Sequence, residues 1–177
     1  MKKTDALLFT VVSSLAMFYA LSSCRTIPKG VKAVSPFDAK RYMGKWYEIS
    51  RKDFMFEKNL DNTTAEYSIM DNGEIKVVNS GHNFKTGKHK QAIGKAKFVG
   101  SSNEAKLKVS FFGPFYAGYN VLALDPEYQY ALVGGKNFKY LWILSRSKTI
   151  PDHIKTEYLQ KAKELGYDTG DLIWVRQ

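Results

Sequence analysis

Between Gly44 and Arg146 apolar residues recur at alternate positions in short runs, and turn-forming residues interrupt them at close intervals. A period of two is that of a pleated strand, so the segment is predicted to form many short antiparallel strands in an up-and-down sheet or barrel. The clearest turn is Asp71-Asn72-Gly73, which joins Ala65, Tyr67 and Ile69 to Ile75 and Val77. Asn and Gly there accept the positive φ that a tight hairpin demands. A turn near Lys85-Thr86-Gly87 leads into Gln91 to Val99, and Gly100-Ser101-Ser102-Asn103 leads into Lys106 to Phe112. Ala117 to Leu124, Tyr128 to Val133 and Tyr140 to Arg146 follow, separated by Asp125-Pro126 and Gly134-Gly135-Lys136-Asn137. With Lys45 to Arg51 these make eight strands.

Alternation places Leu107, Val109 and Phe111 on one face and Lys106, Lys108 and Ser110 on the other, as in a sheet with one wet side. Along the strand before it, Ala92, Gly94, Ala96 and Phe98 share a face. If these point inward the wall is thin there. An eight-stranded barrel has room for packed side chains or one small ligand, so small inward residues favour a cavity; the alternative is that Gly94 marks a bulge or bend. After Arg146 the period changes. Pro151 and Asp152 suit a first helical turn, Ile154, Tyr158, Ala162 and Leu165 form an apolar stripe, and Gly166 suits the position after the helix. One amphipathic helix is expected to pack outside the sheet, followed by a short strand over Leu172 to Val175.

The N-terminus is of another kind. Lys2 and Lys3 precede the largely apolar run Ala6 to Leu21, about 16 residues where a spanning helix needs roughly 20, so it reads as a secretory signal. It ends in Leu21-Ser22-Ser23-Cys24, which resembles a bacterial lipobox: a large aliphatic residue, two small ones, and the cysteine that is acylated and becomes the new N-terminus. Cys24 is the chain's sole cysteine, which excludes an internal disulfide and a four-cysteine zinc site. Residues 1–23 are thus expected to be a lipoprotein signal peptide and residues 24–36 a lipidated N-terminus and tether, rich in Pro, Gly and Lys. A globular domain occupies residues 37–177. Arg25 after the cysteine, rather than the Asp associated with inner-membrane retention, points to lipid anchoring at the bacterial outer membrane. The net charge of +10 belongs to the domain, because removing residues 1–23 costs only one net positive unit.

Two segments carry a family resemblance. Gly44-Lys45-Trp46 opens the first strand and Tyr140-Leu141-Trp142-Ile143-Leu144-Ser145-Arg146 closes the last, and these resemble the first and third signature regions of the lipocalin family. The second signature is met only by Asp125 within Leu124-Asp125-Pro126. Phe37-Asp38-Ala39-Lys40-Arg41-Tyr42, Val109-Ser110-Phe111-Phe112-Gly113-Pro114-Phe115 and Gly118-Tyr119-Asn120-Val121 are similar to the bacterial outer-membrane lipocalins, relatives of apolipoprotein D. The resemblance implies an all-β fold, an eight-stranded antiparallel up-and-down β-barrel with one C-terminal α-helix outside. It also implies a calyx for fatty acids or lysophospholipids, in envelope maintenance or in lipid storage and transport. In the family the tryptophan seals the closed end and the arginine lies across it, which makes Gly44, Trp46, Asp125 and Arg146 structural.

Trp142 shares the parity of Arg146 along the last strand and is expected to face the lumen. Tyr67, Val77, Phe98, Val109 and Phe111 follow as inward-facing ligand contacts, with Tyr116 and Tyr119 at the mouth or its lining. Glu48 shares the parity of Trp46, and a buried carboxylate there needs a donor such as a tyrosine hydroxyl. No G-x-S-x-G elbow occurs, and His82, His89 and His153 lie on unrelated segments without metal-ligand spacing, so no catalytic residue, metal or cofactor is expected. Candidate partners are a fatty acid or lysophospholipid, the membrane through the N-terminal lipid, and a second copy in a homodimer. No basic aromatic stripe for nucleic acid is present. Two other readings compete with a lipid carrier: a lipid-processing enzyme on the same scaffold, and a cationic envelope lipoprotein whose surface lysines dock anionic partners.

Overall fold

A computed structural model of the chain describes residues 25–177, so the signal sequence and Cys24 lie outside the described residues. The strands are β1 (Gly44–Lys52), β2 (Leu60–Ile69), β3 (Ile75–Asn83), β4 (Lys88–Phe98), β5 (Lys106–Phe112), β6 (Phe115–Leu124), β7 (Tyr130–Gly134), β8 (Leu141–Ser145) and β9 (Leu172–Trp174). Each of β1 to β8 pairs antiparallel with its neighbour in sequence, and β8 returns to β1, which closes an eight-stranded barrel. A four-residue helix, α1 (Ala39–Tyr42), precedes the barrel, and α2 (Asp152–Glu164) lies outside it.

Up-and-down topology sorts the turns by end. The β2–β3, β4–β5 and β6–β7 turns meet at the end where β1 begins, here the floor. The β1–β2, β3–β4, β5–β6 and β7–β8 connections meet at the other end, the mouth. The edge of β1 facing β2 is divided. Gly44 to Tyr47 pair with β2, whereas Ser50 to Lys52 pair with β9, and a register shift falls between Glu48 and Ser50 on the side facing β8. The C-terminus fills the gap that this division leaves: Gln177 Nε2 donates to the carbonyls of Glu48 (2.7 Å) and Thr63 (2.8 Å).

Two apolar cores result. The lumen holds Trp46, Tyr67, Val77, Ala96, Leu107, Val121 and Val133 among others. The outer core, between the wall and α2, holds Leu122, Leu132, Ile143, Tyr158 and Ala162. Of the expected stripe on α2, Tyr158 and Ala162 are fully covered while Ile154 and Leu165 are half-buried, and Gly166 ends the helix at φ +95°.

Residues 26–36 do not form a free tether. Ile27 and Val31 are buried in the outer core, Val34 N donates to Val121 O at 2.8 Å, and Ala105 N donates to Val34 O at 2.9 Å. Phe37 then turns into the lumen. The overall composition of this stretch suggested a solvated linker, but apolar residues spaced at 27, 31 and 34 are enough to attach it to the wall.

Candidate functional site

The floor is a sealed aromatic layer. Trp46 is completely buried, its Nε1 donates to Tyr42 O at 2.9 Å, and the Arg146 guanidinium lies 3.9 Å from the Trp46 ring centroid. Arg146 donates to three carbonyls, those of Tyr128 (3.2 Å), Lys45 (2.9 Å) and Arg41 (2.9 Å), so it ties α1, β1 and the β6–β7 turn together. Gly44 sits at φ +91°, a conformation that side-chain-bearing residues rarely adopt, and a Cβ there would be in contact with this guanidinium at 3.4 Å. Asp125 holds the β6–β7 turn by accepting the backbone N–H groups of Glu127 and Gln129 at 3.0 and 2.7 Å.

Above the floor three phenols form a chain across the lumen. Tyr119 lies between Tyr42 (2.8 Å) and Tyr67 (2.9 Å), and burial pushes all three hydroxyls well above their ordinary pKa. Val77, Phe98, Val109 and Phe111 face the same space. Gly94 is neither a bulge nor an empty patch of wall. Its pairing with Val77 is regular, and the Phe111 ring occupies the room it leaves, for a Cβ at Gly94 would come within 2.7 Å of that ring and 2.5 Å of Ser110 O. Tyr116, expected at the mouth or its lining, has the opposite parity to Tyr119 and points outward. Lys97 and Lys108 each place an ammonium 5.1 Å from its ring centroid.

Toward the mouth the lumen becomes polar. Arg51 is fully buried and donates from Nη1 to Glu48 Oε1 at 2.6 Å and from Nη2 to the carbonyls of Glu57 (2.8 Å) and Leu60 (3.2 Å). Thr63 donates to the same Glu48 oxygen at 3.1 Å, and Trp142 Nε1 donates to Glu57 Oε2 at 3.2 Å. Phe54 packs edge-on against both Tyr140 and Trp142 with ring centroids 5.8 Å apart, so an aromatic cluster leads from the rim to this network. One guanidinium faces two carboxyls. Burial raises the Glu48 pKa, opposed by the Arg51 charge and hydrogen bond, and Glu57 is pushed up to about 8 by burial first and then by the Glu48 charge.

That shift has a sign that can be measured. The folded chain binds the Glu57 proton more tightly than an unfolded chain, whose glutamates titrate near 4.5. The stability contributed by protonated Glu57 is therefore fully present below pH 4.5 and is lost as pH rises to about 8. Urea unfolding of the wild type is expected to show stability falling across this window relative to Glu57→Gln, whose amide cannot ionise. Parallel pH profiles for the two chains would contradict the assignment.

The lipocalin-like domain family model matches residues 37–177. The chain belongs to the lipocalin family. It is 51% identical over 172 residues to outer membrane lipoprotein Blc of Escherichia coli K12, covering 97% of each chain. It is 36% identical to apolipoprotein D of Rattus norvegicus, covering 82% of each. Among solved structures it resembles insecticyanin of the tobacco hornworm Manduca sexta, with a TM-score of 0.68 at 24% identity, covering 86% of this chain and 87% of that one. This likeness concerns the fold.

In this lipocalin the polar network was not legible from strand parity. Counting by twos from Trp46 and Glu48 sends Arg51 outward, and the bulge after Glu48 reverses that count. Glu48 accordingly finds an arginine and a threonine as donors rather than a tyrosine. Glu57 and Phe54 lie in the β1–β2 connection, where no periodicity applies. An open depression of about 380 Å³ is lined by Lys76, Ile93, Gly94, Lys95, Ser110 and Phe111 among others. Among the described residues no group of His, Cys, Asp and Glu side chains could hold a metal, and no helix is long and apolar enough to cross a membrane.

Proposed function

We propose that this lipocalin is a membrane-anchored carrier that holds a fatty acid or lysophospholipid tail-down in its barrel, in maintenance of the bacterial outer membrane. The observation that carries the reading is the polarity profile of the lumen. Apolar walls at Val77 and Phe98 sit near the floor ends of β3 and β4, whereas Arg51 and Trp142 sit near the mouth ends of β1 and β8 and Glu57 in the β1–β2 connection, the order that an amphiphile meets on entering tail-first from the mouth. The Arg51 Nε is buried, lies 3.8 Å from Glu57 Oε2 and makes no hydrogen bond, which leaves a donor for a headgroup oxygen. The lipobox-like Leu21-Ser22-Ser23-Cys24 and the outer-membrane relatives support an acylated Cys24. Binding without turnover is the simplest use of such a site.

Titrating a mature chain carrying Cys24→Ser with a long-chain lysophospholipid is expected to give a saturable change in tryptophan fluorescence. Trp142→Ala is expected to weaken binding about tenfold, or about 1.4 kcal/mol. Absence of saturable binding by any long-chain fatty acid or lysophospholipid would remove this reading.

A further inference from the structure

The rim of the mouth is apolar where it meets solvent. Met55 and Phe56 in the β1–β2 connection are 78% and 64% exposed, and Phe112 and Phe115 at the β5–β6 turn are 69% and 78% exposed. Phe56 and Phe112 reach toward each other, with ring centroids 6.4 Å apart, so the two loops present one patch. Four large apolar side chains gathered at one end of a barrel are a contact surface rather than scattered exposure.

Two further observations say what covers it. The first is where the chain enters. From Phe37 at the floor, residues 36–26 climb the outer wall beside β6, and Thr26 O accepts from Asn120 Nδ2 at 2.8 Å. At Gly118 a Cβ would collide with the Thr26 carbonyl, so Thr26 lies directly on this strand. Gly118 is three residues from Phe115, about 10 Å along a strand, whereas Leu124 at the floor is about 20 Å away. Cys24 is two residues from Thr26, a reach of at most about 7 Å. The point where an acyl anchor on Cys24 leaves the chain is therefore nearer the mouth than the floor.

The second observation is the distribution of charge. The floor turns at 70–74, 99–105 and 125–129 carry Asp71, Glu74, Glu104, Asp125 and Glu127 and no lysine or arginine. Lys40 and Arg41 of α1, with Arg146 and Lys148 after β8, offset most of that negative charge. The mouth connections at 53–59, 84–88 and 135–140 carry Lys58, Lys85, Lys88, Lys136 and Lys139 against Asp53 and the largely buried Glu57. The connections at the mouth thus carry a net positive charge and the turns at the floor a net negative one, so anionic headgroups would complement the mouth rather than the floor.

We propose that the barrel docks mouth-down on an anionic bilayer, with Met55, Phe56, Phe112 and Phe115 in the headgroup boundary and the mouth lysines against lipid phosphates. A ligand then passes between bilayer and lumen without crossing water. The proposal rests on the carrier reading for its purpose and on acylation of Cys24 for its anchor, but the docking itself is tested separately.

The full-length acylated lipoprotein is reconstituted in phosphatidylethanolamine–phosphatidylglycerol vesicles. Acylation of Cys24, the sole cysteine, leaves an introduced thiol as the one site for a nitroxide. Labels at Phe56→Cys and Phe115→Cys are expected to lose about fivefold of their accessibility to a water-soluble nickel chelate on reconstitution, while labels at Asn72→Cys and Lys148→Cys at the floor keep theirs. Phe112→Asp, at a solvent-exposed position, should return the Phe56→Cys label to water without unfolding the barrel, which circular dichroism checks. Replacing Lys85, Lys136 and Lys139 with Glu should do the same.

Rim labels that stay in water, or floor labels that become shielded, would overturn the proposal. So would rim shielding accompanied by label–label broadening that disappears on dilution, because a second copy would then cover the rim. Recovery of unmodified Cys24 from membranes also overturns it. Lysophospholipid titration of the same variants separates the two readings: retained binding with water-exposed rim labels rejects docking alone, and docking without lipid binding rejects the carrier alone.

Discussion

Replacing Arg51 with alanine is expected to destabilise the barrel by about 3–5 kcal/mol, the range found when one partner of a buried ion pair is removed. The cost comes less from the lost attraction than from what remains. Glu48 would lose its 2.6 Å partner inside the lumen, and the carbonyls of Glu57 and Leu60 would lose their guanidinium donor. Two carboxyls would then share a space with no cation. Protonation relieves this, so the deficit should be smaller at pH 5 than at pH 8, as measured by urea midpoints for wild type and variant. The double variant Arg51→Met, Glu48→Leu should recover most of the loss at pH 5, where Glu57 is protonated, because apolar groups of similar size then leave no unpaired charge to solvate. If Arg51→Ala were as stable as wild type at pH 8, water would have to reach the network freely, contrary to the burial of both partners.

Trp46→Ala is expected to cost about 3–5 kcal/mol, the usual penalty for emptying a large aromatic site that its neighbours cannot collapse to fill. The neighbours here are constrained. Tyr42 packs against Trp46 at 4.8 Å between ring centroids, and Arg146 is held by three carbonyls, so neither can move far into the space. Arg146→Ala should cost less, about 1–3 kcal/mol, since the guanidinium is partly solvated. A double-mutant cycle should show coupling of about 0.5–2 kcal/mol between the two, from the cation above the ring. Additive losses would mean that Arg146 acts through its carbonyl contacts alone.

The parts of this protein that repeat were readable in the chain. Alternation located each barrel strand to within a few residues and assigned Tyr67, Val77, Phe98, Val109, Phe111 and Trp142 to the inner face, where they lie. The same rule failed wherever the backbone departs from a period of two. It missed Arg51 because of the bulge in β1 and had no purchase on Glu57 in a connection. Grouping Tyr116 with Tyr119 goes against the rule itself, since residues three apart on a strand face opposite ways. By sequence the small residues of β4 allow either spare volume or a bend at Gly94, whereas Gly94 is small because Phe111 from the next strand fills its place.

By itself the sequence determined the architecture, the structural roles of Trp46 and Arg146, and the family, because periodicity and short motifs are local properties of a chain. Tertiary structure decided three things that depend on residues distant in sequence. It paired one buried guanidinium with two carboxyls, it laid residues 26–36 along β6, and it gathered apolar and basic side chains from separate connections at one end of the barrel. Each follows from which connections an up-and-down barrel brings to the same rim. That adjacency exists only once the strands have closed.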